Sequence, residues 1–215
     1  PDDCIVDFDM RLIDLFAEMD KKHLKIKEQI VKEYFRIKEN LGHRPSRMDL
    51  FTYMDDDIYR ICVSGSHAKE NPFQHYLDFL YELGELSKDE QKLYAGIGRE
   101  FIQTIETTEM QKVYKMPILY SFYNHGNIRL EVTDEEVLES WKEFFDTGTN
   151  WKDFPNVNTY EDYKKVTDKQ HLSKAKRMPI TRLKMSGKGF FVEKDGYALA
   201  LRDEIGDVVG NMAFG

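Results

Sequence analysis

The segment that most restricts the fold of this chain is residues 106–126, ETTEMQKVYKMPILYSFYNHG. It opens polar, carries Lys112 and Lys115 on either side of Tyr114, and turns almost wholly apolar from Met116 to Tyr123. Pro117 suits the first position of a helix, where a missing N–H costs no hydrogen bond, and Gly126 suits its stop. Ile118, Leu119, Tyr120, Phe122 and Tyr123 leave no polar stripe, so the pattern predicts a short helix buried all round. The remaining chain has to supply the walls of a core entered through a lysine-bearing segment.

Composition allows such a core. Hydrophobic residues make up 41% of the 215 residues and aromatic residues 13%, enough for one large domain or two small ones. Charged residues are plentiful at 33%, which suits solvated helices. A net charge of -8 argues against a uniformly basic nucleic-acid binder and leaves room only for local basic patches. Cys4 and Cys62 stand far apart without CxxC spacing and read as reduced core thiols of an intracellular protein, a disulfide being the alternative. The start PDDC is acidic where a secretory signal is basic, and no apolar run approaches the ~20 residues of a membrane span. A cytoplasmic protein with no membrane partner is therefore expected. The absence of an initiating Met suggests a piece of a longer protein.

Helical spacing recurs along most of the chain. Residues 9–20 place Leu12, Ile13, Phe16 and Met19 on one face, and a longer helix over 21–41 places Val31, Tyr34, Phe35 and Leu41 on one side, closed by Gly42. Ser46 and Asp49 signal the start of a third helix carrying Met48, Leu50, Phe51 and Tyr53. Helix, tight turn at Gly42 and Pro45, and helix again could form a helix-turn-helix with Arg44 and Arg47 aimed at phosphate; two helices merely meeting at a polar corner is the commoner arrangement. Asp55, Asp56 and Asp57 read as a helix start, where negative charge is favourable, rather than as a metal site. Further helices follow over 73–84, from the Ser87/Glu90 capping box, across a break at Gly96 and Gly98, and from the Thr133/Glu136 capping box through Trp141. Trp141 reads as core. Thr159 caps a short helix through Tyr163.

The texture changes after Gly148. Lys164–Lys188 is a basic tract containing Lys174, Lys176, Arg177, Arg182, Lys184 and Lys188, with Asp168 as its one acid. Such a tract displaces counterions from phosphates and binds with little sequence preference; an ordinary solvated surface is the plain alternative. FFVEKDGYALALRDEI then alternates as a hairpin turning at Asp195-Gly196. The expected architecture is α+β and predominantly helical: a helical region over 1–65, a helical core region over 66–150, and a basic α+β region with the hairpin over 151–215.

No catalytic constellation stands out. There is no phosphate-binding Gly-x4-Gly-Lys-Ser/Thr loop, no nucleophile elbow, no His-Glu-x-x-His, and no Cys/His ligand spacing. His67-Ala-Lys69 has the His-x-Lys start of a phospholipase-D-type nuclease motif, but Gln74 stands where that motif has Asp, and no second copy occurs.

VDFDMRLIDLF, LGHRPSRMDLF, ETTEMQKVYKMPILYSF and KRMPITRLKMSGKGFFV together resemble the C-terminal accessory region of bacterial superfamily II (DEAD/DEAH-box) helicases. The resemblance implies a nucleic-acid-binding region that does not itself hydrolyse ATP, with ATP and magnesium held by motor domains upstream and no cofactor in this chain. Its partners would be DNA or RNA and the motor domains. Phosphate contacts would come from Lys112, Lys115, the 174–188 tract, and Arg44 and Arg47. Two other readings stand beside it: a helical protein-interaction module, and a metal-dependent nuclease domain.

Overall fold

The computed structural model describes residues 25–65, 69–108, 113–124 and 127–209. The helix expected over 9–20, the start of the second helix, Cys4, His67, Lys112 and Gly126 lie outside them. The chain divides between Leu86 and Ser87 into two packing units, each with its own core. That division falls inside the stretch grouped above as 66–150.

In the first unit, helix α1 (25–41) buries Ile30, Tyr34 and Ile37, an i, i+4, i+7 stripe. Of the expected Val31, Tyr34, Phe35 and Leu41, only Tyr34 belongs to that stripe. Neighbours on a helix diverge by about 100°, so Tyr34 and Phe35 cannot both face inward. Tyr34 does, edge-on to Phe79 at 5.3 Å, while Phe35 is left outside. Gly42 caps α1 with φ 73°, and Ser46 and Asp49 form the expected capping box at α2 (Arg47–Tyr53). Only Leu50 of the four apolar residues assigned to α2 is buried; Met48, Phe51 and Tyr53 are exposed. Helix α3 (Asp56–Val63) begins at the Asp55 cap as expected, and α4 (Tyr76–Leu83) ends at Gly84. Cys62 is a free thiol buried in this unit, its pKa pushed up to about 11 by desolvation.

Glu33 is the residue that hydropathy missed. Its carboxylate accepts from Arg36 Nε (2.9 Å) and from the backbone N–H of Asp55 (2.8 Å), so one α1 side chain fixes the start of α3. Arg36, through those bonds, holds the carboxyl below its usual range, with the Asp55 N–H acting in the same sense and burial opposing both. Arg36 also donates to the Tyr53 carbonyl at the end of α2 (2.8 Å).

The second unit holds helices α5 (Lys88–Ala95), α6 (Ile97–Glu106), α7 (Lys115–Ser121) and α8 (Asp134–Asp146). After a 3-10 turn (Asn150–Asp153) come α9 (Tyr160–Lys164), α10 (Asp168–Ala175), a π-helical stretch (Lys176–Ile180) and α11 (Thr181–Ser186). Three strands, β3 (Glu131–Val132), β4 (Phe191–Val192) and β5 (Leu199–Leu201), form an antiparallel sheet ordered β3-β5-β4, and α12 (Asp203–Val209) closes the unit. A separate two-stranded pair joins β1 (Tyr123–Asn124) to β2 (Asn127–Ile128). The fold is thus α+β and predominantly helical. The expected hairpin is present as β4 and β5, paired Phe191 to Leu201 and Val192 to Ala200, with Gly196 at φ 84° in the turn. Its third strand is unexpected: two residues are too few to show a period of two. Because β3 precedes α8 and α10 packs on α8, residues 151–215 share one core with 87–150.

Helix α7 packs chiefly on α8, where Ser140 Oγ donates to the Pro117 carbonyl (2.7 Å). It starts at Lys115, so Pro117 is its third residue, still among the N–H positions without an intrahelical partner. Pro117 and Ile118 are buried as expected, but Tyr120 on the helix is exposed, and the helix ends at Ser121, which leaves the exposed Tyr123 in β1. Trp141 is fully buried at the head of an aromatic column. Its ring lies 4.9 Å from Phe145, which meets Phe154 at 5.4 Å, and Phe154 meets His171 at 5.0 Å.

His171 is buried among those rings, and desolvation lowers its pKa from 6.5; Lys142 adds to the shift, and Asp146 and Asp168 oppose it. The unfolded chain therefore binds a proton at a pH where the folded chain does not, so the stabilisation is full above the unfolded value and is lost as pH falls below it. Thermal unfolding by circular dichroism should show Tm falling from about pH 8 to about pH 5. His171→Phe, which leaves no proton to bind, should flatten that fall; an equal slope in the variant would assign it to other groups.

Candidate functional site

A cleft of about 740 Å³ opens in the second unit between the C-terminal end of α6, the start of α7, and the π–α11 helix. Thr104, Thr107 and Thr108 form one wall, Tyr114 and Lys115 the second, and Met178, Pro179, Arg182, Ser186 and Lys188 the third. Three cations line it, and among the described residues no carboxylate does. In a chain of net charge -8, such a recess is where an approaching anion is held rather than repelled.

Local chemistry places each group. Tyr114 is anchored by its hydroxyl, which donates to the Asp153 carbonyl (2.5 Å), and by its ring, 6.0 Å from Trp141. The next residue, Lys115, is thereby held at the mouth of α7, and its ammonium donates to Thr108 Oγ1 (3.0 Å). On the opposite wall Pro179 lacks the N–H that an α-turn would use, and its ring crowds the preceding turn. The helix widens to a π-turn over Lys176–Ile180, and Thr181 Oγ1 donates to the Lys176 carbonyl (3.0 Å). Met178, Pro179, Arg182 and Ser186 then share the cleft side. Lys188 reaches it from a turn with φ 49°, beside Gly187, where an added Cβ would lie 2.5 Å from the Leu183 carbonyl oxygen.

Of the ten residues singled out from the sequence, Lys115, Arg182 and Lys188 come together here. Lys112 lies outside the described residues. Lys174 lines a different recess of about 370 Å³ with Asp162 and Lys165, and Arg177 is exposed on the π-turn. Lys176 pairs with Asp134 (2.6 Å) and Lys184 with Glu193, so both already have carboxylate partners. Arg44 and Arg47 belong to the first unit and are engaged within it. Arg44 donates to the Glu85 carbonyl (3.0 Å), and the Arg47 guanidinium lies 5.6 Å from the Tyr76 ring centre. The Tyr76 hydroxyl donates in turn to the Pro45 carbonyl, so the corner after Gly42 is a packed joint. Among the described residues no three His, Cys, Asp or Glu side chains gather to hold a metal, and no helix is long and apolar enough to cross a membrane.

The sequence reading misses the hydroxyl wall. Thr104, Thr107 and Thr108 stand at i, i+3 and i+4, a helical face legible in the sequence, but threonines carry no charge to draw notice. Thr104 and Thr107 donate to the carbonyls of Glu100 and Gln103 (2.7 Å each), and Ser186 to that of Arg182 (2.7 Å). Their oxygens keep lone pairs for a ligand's donors. The cleft thus offers cations to acceptors and hydroxyl oxygens to donors, over the apolar side chains of Met178 and Pro179.

No family model matches this chain, and no curated protein or solved structure matches it.

The Gly187 turn should be intolerant of a side chain. Gly187→Ala forces the turn to open against backbone, with an expected cost of about 1–3 kcal/mol in denaturant unfolding. Gly189→Ala meets no neighbouring atom but forces a residue with φ 76° to carry a side chain, so its expected cost is the smaller, about 1 kcal/mol. Equal losses would show that crowding at Gly187 does not hold the turn.

Proposed function

We propose that this chain is a non-catalytic nucleic-acid-binding region of an ATP-dependent superfamily II helicase, gripping the strand on which the motor domains act. The observation that carries the reading is the convergence of Lys115, Arg182 and Lys188 on one cleft that, among the described residues, no carboxylate lines. Two of these cations come from KRMPITRLKMSGKGFFV and the third from ETTEMQKVYKMPILYSF, two of the four stretches that carry the resemblance. On this reading ATP and magnesium belong to the motor domains, this chain needs no cofactor, and the work is done in the cytoplasm.

The phosphate contacts divide by pairing. Arg182 and Lys188 have no carboxylate partner among the described residues, so a phosphate displaces only water and counterions from them. Lys176 and Lys184 must first leave Asp134 and Glu193. Lys174 and Arg177 extend the positive surface beyond the cleft.

One observation favours a partner-binding module as the second reading. A groove of about 580 Å³ beside α8 has Tyr120, Tyr123 and Phe144 in its wall together with Glu136, Glu139 and Glu143. Arg129 neutralises Glu136 (2.9 Å); Glu139 and Glu143 have no cationic partner among the described residues. Exposed tyrosine on an acidic groove suits a protein surface and repels a polyanion.

Fluorescence anisotropy with labelled oligonucleotides at two salt concentrations separates the readings. The wild type should bind with salt-dependent affinity. Arg182→Gln/Lys188→Gln should flatten the slope of log K against log salt by about 0.7 for each phosphate of a single strand that is no longer neutralised. Lys176→Gln/Lys184→Gln should change it less. Absence of binding at low salt would remove the nucleic-acid reading and leave the partner module.

A further inference from the structure

We propose that the cleft between α6, α7 and α11 receives one unpaired nucleotide of a single strand, with its phosphate on Lys115, Arg182 and Lys188 and its base over Met178 and Pro179. The proposal rests on the nucleic-acid reading and adds the form of the substrate to it.

The argument is one of donors and acceptors. A site for bare phosphate needs donors alone, yet five of the eight polar side chains that line this cleft among the described residues carry hydroxyls. The Thr104, Thr107 and Ser186 hydroxyls spend their protons on carbonyls of their own helices, so toward the cleft they accept. Thr108 differs: it accepts from the Lys115 ammonium and keeps its proton to give. The ligand that satisfies both sets carries anionic oxygens together with N–H or O–H donors. Inorganic phosphate lacks the second kind at the required distance from the first. A duplex pairs its Watson–Crick edges, keeps its remaining base donors inside its grooves and offers phosphates on a convex ridge. An unpaired nucleotide offers phosphate, sugar hydroxyl or ring oxygen, and a free base edge within one residue.

Size and polarity agree. A volume of about 740 Å³ lies within the roughly 300–1,000 Å³ of sites for small organic ligands and cannot enclose a duplex. Met178 is 41% exposed although its neighbours Pro179 and Ile180 are buried, so an apolar side chain is presented to the cleft with room for a planar group against it. Met178, Arg182 and Ser186 stand at i, i+4 and i+8 along the helix that continues through the π-turn, and all three line the cleft. Sequence-independent grip on a single strand combines these same elements, a cationic track and a surface on which a base rests.

A free mononucleotide has the same chemistry, so the test includes it. Anisotropy at low salt would compare a mixed-sequence single strand, its duplex, an abasic phosphodiester strand of equal length, and a nucleoside monophosphate as competitor. The expected result is about tenfold tighter binding of the single strand than of the duplex or the abasic strand. Met178→Asp, a change at an exposed position, should reduce the single strand to the abasic level and move the duplex by a smaller factor. Thr107→Val/Ser186→Ala should do the same without adding charge. Duplex or abasic affinity equal to that of the single strand would overturn the proposal while the nucleic-acid reading stands. Tighter binding of the monophosphate than of the strand would assign the cleft to a small molecule and overturn it too. No binding of any strand would remove both.

Discussion

The second unit depends on one packing event, the burial of Trp141 between α7 and the aromatic rings that follow it along α8 and beyond. Trp141 carries no exposed surface, and its neighbours Phe145, Phe154 and His171 form a continuous column with Tyr163 at its side. Truncating a buried Trp costs about 3–5 kcal/mol, a large share of the stability of a domain. The column also has a positional effect. Tyr114 closes its upper end, and because Lys115 is the next residue, this cleft cation is set by the core rather than by a loop. The 3-10 turn and α9, short elements with little stability of their own, are held because Phe154 and Tyr163 insert into the same column.

Much of this is legible in the sequence alone. Capping boxes at Ser46, Ser87 and Thr133 each begin a helix, since a reciprocal side-chain bond is encoded within four residues. The Asp195-Gly196 turn and its flanking alternation name the hairpin for the same reason. What is illegible depends on distant residues. The choice of Tyr34 over Phe35 as the inward ring is made by Phe79, and the third strand exists because residues 131 and 132 find β5. The π-turn needs both Pro179 and the packing that keeps the helix going past it. The grouping of 151–215 as a region of its own fails for the same cause: composition changes there, but the core does not.

The candidate site is half legible, and the half is physically defined. Charge marks itself, so Lys115, Arg182 and Lys188 stand out as residue types. Pairing does not, so Lys176 and Lys184 look equivalent to them although each has a carboxylate partner. Arg44 and Arg47 mislead more thoroughly. An arginine at a helix start suits phosphate, but it equally suits a carbonyl or an aromatic face of the same chain. Here Arg44 ties the corner after Gly42 to the end of α4, and Arg47 covers Tyr76. The helix-turn-helix outline is therefore built on contacts that engage its cations inside the unit.

The distribution of charge gives the cleft its significance. With 39 acids against 31 bases, most of the surface repels a polyanion, and bases held in ion pairs do not change that at distances beyond a Debye length. Three cations converge in the cleft, where a π-turn, a left-handed lysine and a core-anchored lysine meet and where no described residue supplies a carboxylate. On the proposed reading, a strand approaching this unit is excluded from most orientations and admitted in few. Net acidity, which at first argues against nucleic-acid binding, then acts in the proposed complex as a filter on how the strand is held.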